Sequence, residues 1–429
     1  MASPLDEVQA SRGFTMSTPM SVMNRNPNFL PGTIICATKW LAYAIPKGRI
    51  RVISPSREHT LLHLPRSFGS SAAVIDMAAF GNRLASVTSN GGLVVWELPE
   101  TITYDVPGRI IFHVLPLPPT GSSGLRLVKW HPKDPDTFAL ASHSHIYLMN
   151  LSITLRMYQS VHPSDLDQIS QVFASGSPIA AFDFDVLHHA LAAISDDSTI
   201  ILWSITDTSL FWSYEVEGEG EPSSLNVVDS GVVVGRKNGT IFQLLSYKGK
   251  SVLSTTKFIN SNRQDDPEMF GHIVYDSRTQ TLWVANNKRA SMIALRIGST
   301  GPAPSLNGED GAKNLLIENI VEFGRQTPTI HFAILTTDSD PTGEWALTGC
   351  EIMKVPPGDF ALSAFSMYVG GVDLVLIRKE WFDTASLGAL AKYPSYIPQP
   401  QPIQSPPQQQ LVERAADQDA DDLLTTSSK

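Results

Sequence analysis

The sequence predicts an all-β protein built from seven similar sheets, and three observations support this. Short apolar runs bounded by turn residues follow one another along most of the 429-residue chain. One turn-and-strand pattern occurs seven times, mostly at spacings of about 40 to 55 residues. Only 17% of residues are charged, while the chain has 29 glycines and 30 prolines, as is typical of many strands joined by short connections.

The clearest copy of the repeated pattern is SDDSTIILW, residues 195–203, where an acidic turn leads into an apolar strand that ends in tryptophan. The other copies are PKGRIRVIS (46–54), SNGGLVVWEL (89–98), SHSHIYLMNL (142–151), RKNGTIFQLL (236–245), NKRASMIALR (287–296) and YVGGVDLVLI (368–377). Asn-Gly, Gly-Gly and Asp-Asp-Ser give the backbone freedom and local side-chain bonding that a tight hairpin needs. The strands that follow are apolar on both faces, which predicts that each is packed between two neighbouring sheets.

Each copy is preceded by two further strands, such as IAAFDFD (179–185) and HALAAIS (189–195), and is often followed by a fourth, such as LFWSYEV (210–216). Four strands per unit and seven units predict a seven-bladed β-propeller with WD-type blades. The blades are degenerate, because no Gly-His dipeptide begins a unit and no Trp-Asp closes a strand. The residues expected to have structural roles in the blades are Trp96, Trp130, Trp203 and Asp197.

The predicted domains are a flexible segment at 1–30, the propeller at 31–385 and a tail at 386–429. The tail is rich in proline and glutamine and then acidic, so we expect it to be disordered. Residues 13–20 are the candidate for closing the ring by pairing with the last blade.

Composition argues against several functions. The net charge of −10 makes broad binding to a phosphate backbone unlikely for the chain as a whole. No apolar run reaches the length of a membrane span, and the polar first residues do not resemble a secretory signal. The two cysteines, Cys36 and Cys350, are too few for a metal site or a disulfide framework, which favours an intracellular protein.

The sequence contains no Gly-x-Ser-x-Gly elbow, phosphate-binding loop or His-Glu-x-x-His helix, and we expect no catalytic, metal-binding or cofactor-binding residues. The histidines at 143, 145, 188 and 189 are interpreted as turn or loop residues rather than metal ligands. Equivalent turns of blades 5 and 6 carry the candidate partner-binding rim, which consists of Arg236, Lys237, Lys288 and Arg289. The simpler interpretation of the same four cations is that they are ordinary solvated turn residues.

One segment is more specific than the blade pattern. Residues 125–151, LRLVKWHPKDPDTFALASHSHIYLMNL, resemble the third-blade region of the WD-repeat domain in the enhancer of mRNA decapping protein 4 family, also called the Varicose family. The run from Val128 to Pro135, followed by HIYLMNL, carries this resemblance, which extends over about 33–382.

The resemblance implies a non-catalytic scaffold of cytoplasmic mRNA decapping, located in processing bodies. Its implied partners are the decapping enzyme and decapping activators, with indirect association to RNA and no membrane. Members of that family continue into a helical C-terminal domain, whereas this sequence has only the short tail. The alternatives are a generic WD-repeat scaffold of another complex (a vesicle coat, a ubiquitin ligase adaptor or a chromatin complex) and, with least support, a propeller hydrolase.

Overall fold

The computed structural model describes residues 11–104, 108–117, 124–247, 249–259, 265–300, 314–337 and 339–386. Over these ranges the chain forms thirty strands, numbered β1 to β30 in chain order, which are arranged in seven separate sheets. The predicted all-β, seven-bladed propeller is therefore confirmed. None of the helices in these ranges is long and apolar enough to cross a membrane. The predicted disordered tail lies, apart from Ser386, outside the described residues.

Each blade is a meander whose first strand lies nearest the centre of the ring. From the centre outward, blade 1 consists of β3 (Ile35–Ala37), β4 (Leu41–Ile45), β5 (Arg49–Ile53) and β6 (His59–His63), and blade 2 of β7 (Val74–Phe80), β8 (Arg83–Thr88), β9 (Leu93–Glu97) and β10 (Arg109–Val114). Blade 3 consists of β11 (Leu127–Trp130), β12 (Thr137–Ala141), β13 (His145–Asn150) and β15 (Gln171–Ala174). Blade 4 consists of β16 (Ile179–Asp185), β17 (Ala190–Ser195), β18 (Thr199–Ser204) and β19 (Leu210–Glu215).

Blades 5 to 7 continue in the same order. Blade 5 consists of β20 (Pro222–Val228), β21 (Gly231–Arg236), β22 (Ile241–Ser246) and β23 (Ser251–Lys257). Blade 6 consists of β24 (Gly271–Asp276), β25 (Thr281–Asn286), β26 (Arg289–Thr300) and β27 (Asn314–Gly324). Blade 7 consists of β28 (His331–Ile334), β29 (Phe360–Tyr368), β30 (Gly371–Arg378) and β2 (Met16–Val22). Two blades have a fifth strand, namely β14 (Ser160–Val161) beside β10 and β1 (Ser11–Gly13) beside β27.

The segment that was expected to be flexible takes part in the ring. Strand β2 pairs antiparallel with β30, with Met16 opposite Leu376, so the proposed ring closure by residues 13–20 is confirmed for β2. Strand β1 pairs parallel with β27 in the neighbouring blade. The expectation of flexibility at 1–30 is therefore wrong for these two strands. Their backbone groups find partners in β27 of blade 6 and β30 of blade 7, which stabilises them as sheet.

The helices fill the spaces around blades 3 and 7. Their bounds are α1 (Leu151–Thr154), α2 (Leu166–Ile169), α3 (Glu344–Met353) and α4 (Lys379–Ser386), with short 3₁₀ turns at Arg66–Phe68 and Pro163–Asp165. In α4, Phe382 is buried against Trp283 and Phe323 of blade 6, and the helix also packs against β29 and β30 of blade 7.

The turns between the second and third strands of the blades explain the repeated sequence pattern. In blade 4, Asp197 accepts hydrogen bonds from the Ser195 hydroxyl at 2.6 Å and from the Thr199 backbone N–H at 3.0 Å. In blade 5 the backbone at Gly239 has a φ of +73°, and a Cβ there would lie 2.0 Å from the Gly271 carbonyl oxygen. Glycine is required at that position both by the backbone angle and by the close approach of blade 6.

Candidate protein-interaction surfaces

Arg236, the first residue of the predicted rim, is buried and does not belong to an exposed surface. Its guanidinium donates to Gln243 Oε1 at 2.7 Å, to Ser198 Oγ and the Gly220 carbonyl at 3.0 Å each, and to the Val216 carbonyl at 2.6 Å. Burial lowers the pKa of this guanidinium. The expectation that Arg236 is an exposed binding residue is therefore wrong, because the side chain turns inward to hold the connection between blades 4 and 5.

The other three rim cations are partly exposed and each contacts an acid. Lys237 Nζ lies 2.6 Å from Asp265 and 3.0 Å from Glu219. Lys288 Nζ lies 2.8 Å from Glu268. These lysines carry raised pKa values because the neighbouring carboxylates favour the charged ammonium.

Arg289 completes the rim, with its Nε 2.7 Å from Glu322 Oε1. That carboxylate raises the pKa of Arg289, and Arg289 in turn lowers the pKa of Glu322. The rim is therefore a set of alternating ion pairs rather than a positive patch. Such a surface suits a partner that also carries both signs of charge, and it offers little attraction to a polyanion.

Of the four predicted structural residues, the three tryptophans lie inside the blades, whereas Asp197 lies in the exposed turn between β17 and β18. Trp96 and Trp203 are buried in β9 and β18, and the ring of Trp203 lies 5.8 Å from that of Phe173. Trp130 is buried in β11. Asp197 has its pKa lowered to about 2, chiefly by hydrogen bonds from Ser177 and Ser195 in the turn.

The centre of the ring contains a cavity of about 270 Å³, which the first strands of six blades line. Lys129 of blade 3 and Asp183 of blade 4 form an ion pair at its wall, with Nζ and Oδ1 2.9 Å apart. The other carboxylate oxygen of Asp183 accepts from the Val227 N–H of blade 5 at 2.9 Å. Asp183 thus links three successive blades.

Asp76 makes a similar link among the first three blades. Its Oδ1 accepts from the Thr33 N–H at 2.5 Å and from the Met77 N–H at 3.0 Å, and its Oδ2 accepts from the Val128 N–H at 2.6 Å. Burial nevertheless raises its pKa to about 7. Asp76 and Asp183 are central to the ring, and the blade pattern gave no signal for this, because it identifies strands but not which side faces the channel.

Two histidines approach each other across the boundary of blades 6 and 7. The ring centroids of His272 and His331 are 3.9 Å apart, and Phe29 stacks on His272 at 5.6 Å. Burial lowers the pKa of both histidines, that of His331 to about 4. Both are therefore neutral near pH 7, as their close contact requires.

The histidines that raised a metal alternative in the sequence are dispersed. His145 contacts Ser144 at 3.0 Å, whereas His188 Nδ1 lies 2.8 Å from Asp185 in a different blade. Within the described ranges, no three His, Cys, Asp or Glu side chains are grouped as a metal site.

The outer strand of blade 4, β19, is a surface that the sequence analysis missed. Leu210 and Phe211 are 56% and 51% exposed, and they adjoin Trp212, which contacts Tyr247 of blade 5. The available signal was the run LFWSYEV itself, in which apolar residues follow each other on a strand that is last in its blade. A last strand has a neighbour on one side only, so its apolar side chains stay partly in water.

The comparisons with known proteins agree on the fold. The WD40 domain of coronin from Toxoplasma gondii superposes with a TM-score of 0.58 at 11% sequence identity, over 87% of this chain and 90% of that one. A chain in the crystal structure of the mitotic checkpoint complex superposes with a TM-score of 0.52 at 10% identity, over 88% of this chain and 99% of that one. No family model and no curated protein sequence matches the chain. The chain therefore has the WD40-type seven-bladed propeller fold.

Proposed function

We propose that this protein is a non-catalytic interaction scaffold of cytoplasmic mRNA decapping that works in processing bodies. Its partners would be the decapping enzyme and decapping activators, and its association with RNA would be indirect. The observation that carries the proposal is the resemblance of residues 125–151 to the third blade of the mRNA-decapping scaffold family. The fold supports the general part of the proposal, because a rigid ring with many loops offers several surfaces to protein partners.

The resembling segment covers the three inner strands of blade 3, which supports the use of the resemblance. It forms β11, β12 and β13 and the turns between them. Trp130 donates from Nε1 to the Pro135 carbonyl at 2.8 Å and stacks on Phe138 at 5.4 Å. Asp134 closes the same turn by accepting from the Asp136 N–H at 2.9 Å. The quoted residues therefore specify the shape of this blade together.

The test is affinity purification of the tagged chain from its own cells, with and without ribonuclease, followed by mass spectrometry. We expect the decapping enzyme and its activators to be retained after ribonuclease, because the contacts would be between proteins. Recovery of coat, ubiquitin-ligase or chromatin subunits in their place would contradict the decapping role and favour a scaffold of another complex. Loss of every decapping protein after ribonuclease would contradict direct contact.

A charge-reversed rim extends this experiment. We expect the triple variant Lys237→Glu, Lys288→Glu and Arg289→Glu to recover less of a decapping protein at an unchanged melting temperature, because exposed ion pairs contribute little to stability. The matched control is Arg156→Glu, an exposed arginine in the connection after β13, on the opposite face of the ring. Equal recovery by the triple variant and the control would remove the rim as a contact surface.

A further inference from the structure

Two blades show that their outer strands accept an additional strand. In blade 2, β14 pairs in parallel with the end of β10, with Ser160 opposite His113 and Val161 opposite Val114. In blade 6, β1 pairs in parallel with β27. An outer strand leaves a row of backbone N–H and C=O groups unpaired on its far side, and these groups are a template for an extended segment.

The outer strand of blade 4 matches that of blade 2 residue for residue. In blade 2, Ile110 lies opposite Trp96, a bulge follows, and Phe112 lies opposite Val95. In blade 4, Leu210 lies opposite Trp203, a bulge follows, and Trp212 lies opposite Leu202. The positions that pair with β14 in blade 2, two consecutive residues beyond the bulge, correspond to Ser213 and Tyr214.

No strand covers β19 within the described part of the chain, because it is the last strand of a four-stranded sheet. Antiparallel pairing alternates, and the Val216 N–H donates to the Ser198 carbonyl at 2.9 Å. It follows that Tyr214 and Trp212 direct their backbone groups toward β18, whereas Ser213 and Glu215 direct theirs away from it. The backbone groups that an added strand needs are therefore on the open side.

The other uncovered outer strands are poorer templates. Strand β6 has exposed histidines at both ends, β15 has four residues, β23 is mainly serine and threonine, and β2 contains Pro19, which lacks an N–H. Strand β19 alone among these five has two consecutive large apolar side chains that are more than half exposed.

The negative charge at the end of β19 indicates the charge that a partner segment should carry. Glu215 and Glu217 are exposed at the end of this strand and have no cationic partner among the described residues. A segment parallel to β19, as β14 is to β10, would have its C-terminal end beside these two carboxylates. Lys or Arg at that end would be favoured electrostatically.

We propose that β19 is the docking site for an extended segment of a protein partner, which joins blade 4 as a parallel fifth strand. The segment carries β-branched apolar residues that pack on Leu210 and Phe211, followed by Lys or Arg beside Glu215 and Glu217. This mode of binding is strand addition to a sheet edge, in which main-chain hydrogen bonds give affinity and side chains give specificity. The inference rests on the interaction function proposed above and gives it a surface and a partner chemistry.

The probe is a fluorescein-labelled synthetic peptide, Thr-Val-Thr-Val-Thr-Val-Lys-Arg-Lys, titrated with the full chain and followed by fluorescence anisotropy. We expect a Kd on the order of 10 to 100 µM, typical of a short, weak contact. Hydrogen exchange should slow at residues 210–215 when the peptide is bound. The same peptide ending in Asp-Glu-Asp should bind at least tenfold more weakly. Absence of binding, or slowed exchange elsewhere only, would overturn the proposal.

The variants are Phe211→Lys and the double change Glu215→Lys with Glu217→Lys, all at exposed positions. Each variant should weaken peptide binding at least tenfold, while the circular dichroism spectrum and the melting temperature stay unchanged. The matched control is Leu253→Lys in β23, where the leucine is 39% exposed on the outer strand of the next blade. Equal binding by the two β19 variants and this control would overturn the docking site.

The experiments distinguish a failure of the decapping proposal from a failure of the β19 docking site. If decapping proteins are recovered equally with Phe211→Lys and with the unchanged chain, the scaffold function stands and β19 is not its docking surface. If the peptide docks on β19 and no decapping protein is recovered, the docking site stands and the decapping role is wrong.

Discussion

Arg236 is an arginine whose buried charge is balanced by dipoles. All four acceptors around its guanidinium are neutral, two of them carbonyl oxygens of the connection that leads from β19 to β20. A buried cation is costly unless its donors are bonded, and here four of the five N–H donors of the guanidinium meet fixed acceptors. The side chain therefore ties the 216–220 connection to the end of β21.

We expect Arg236→Ala to lower the free energy of unfolding by about 3 kcal/mol, because it leaves two backbone carbonyls and Gln243 without their donor. Chemical denaturation monitored by tryptophan fluorescence measures this loss. The control is the adjacent Lys237→Ala, whose ammonium is partly exposed, and its cost should stay below about 1 kcal/mol. Equal costs for the two variants would mean that the bonding around Arg236 is not stabilising.

The His272–His331 pair makes stability depend on pH. The pKa of His331 is about 4 in the folded chain against an ordinary value of 6.5, because the ring is buried. The unfolded chain therefore takes up a proton first as the pH falls, and stability is lost between about pH 6.5 and 4. At about 1.4 kcal/mol per pKa unit, the loss from His331 amounts to about 3 kcal/mol.

Asp76 acts in the opposite direction. Its pKa is raised to about 7, so the folded chain takes up that proton first and gains stability as the pH falls from about 7 to 4. The effect of His331 is therefore measured by comparing the pH dependence of the unfolding free energy in the His331→Gln variant and in the unchanged chain. We expect the unfolding free energy of His331→Gln to fall by about 3 kcal/mol less than that of the unchanged chain between pH 7 and 4. Parallel pH profiles would contradict the neutral, buried state of His331.

Among the elements, α3 shows how an insertion can become part of the core. It lies in the long connection between β28 and β29, and Trp345 is fully buried there. The Trp345 indole donates from Nε1 to the Thr38 carbonyl of blade 1 at 3.1 Å, and its ring meets that of Phe365 in blade 7 edge to face at 4.7 Å. One side chain thus joins the last blade to the first.

We expect Trp345→Ala to cost about 3–5 kcal/mol, the usual range for an aromatic truncation in a packed core. Thermal and chemical denaturation give the value. Leu347→Ala is the matched control on the same helix, because Leu347 is 47% exposed, and it should change stability by about 0.5 kcal/mol or less. A small effect for Trp345→Ala would show that α3 is an appendage rather than a link in the ring.

The strands that could be predicted from sequence are those specified by local chemistry. The turn at 195–199 and the glycines near 91 and 239 mark hairpins by themselves, so the repeated blades follow from short stretches of chain. By contrast, β1 has three residues, Ser11–Gly13, and β14 has two, and neither has a local strand signature. They are strands because an outer strand of a blade offers them backbone partners.

The same contrast between local sequence and strand pairing explains which parts of the candidate surfaces could be predicted. Arg236 and Lys237 are adjacent in sequence and both belong to the predicted rim, because the sequence gives the end of a strand only to within a few residues. The structure ends β21 at Arg236, which directs one side chain inward and the next outward. The run LFWSYEV is predicted as the fourth strand of its unit, but the exposure of Leu210 and Phe211 depends on no further strand of the described chain pairing with β19, which the run itself does not encode.

At the scale of the whole molecule, the ring is held shut by pairings between distant parts of the chain. Strand β2 joins Met16 to Leu376, and β1 joins Ser11 to Val321. Blade 7 therefore lacks its outer strand until β2 pairs with β30, and blade 6 lacks its fifth strand until β1 pairs with β27.

These pairings have a consequence for how the protein is made. As a ribosome releases the chain, blades 1 to 5 can form in turn from neighbouring segments, but residues 11–22 must wait until β27 and β30 have been synthesised. Contacts between residues so far apart in sequence form slowly, because the chain loses the entropy of closing a long loop before the contact contributes any favourable free energy. Until then the unpaired edges of the unfinished blades are open to strands from other chains, so the last steps of synthesis are when this protein most needs protection from aggregation.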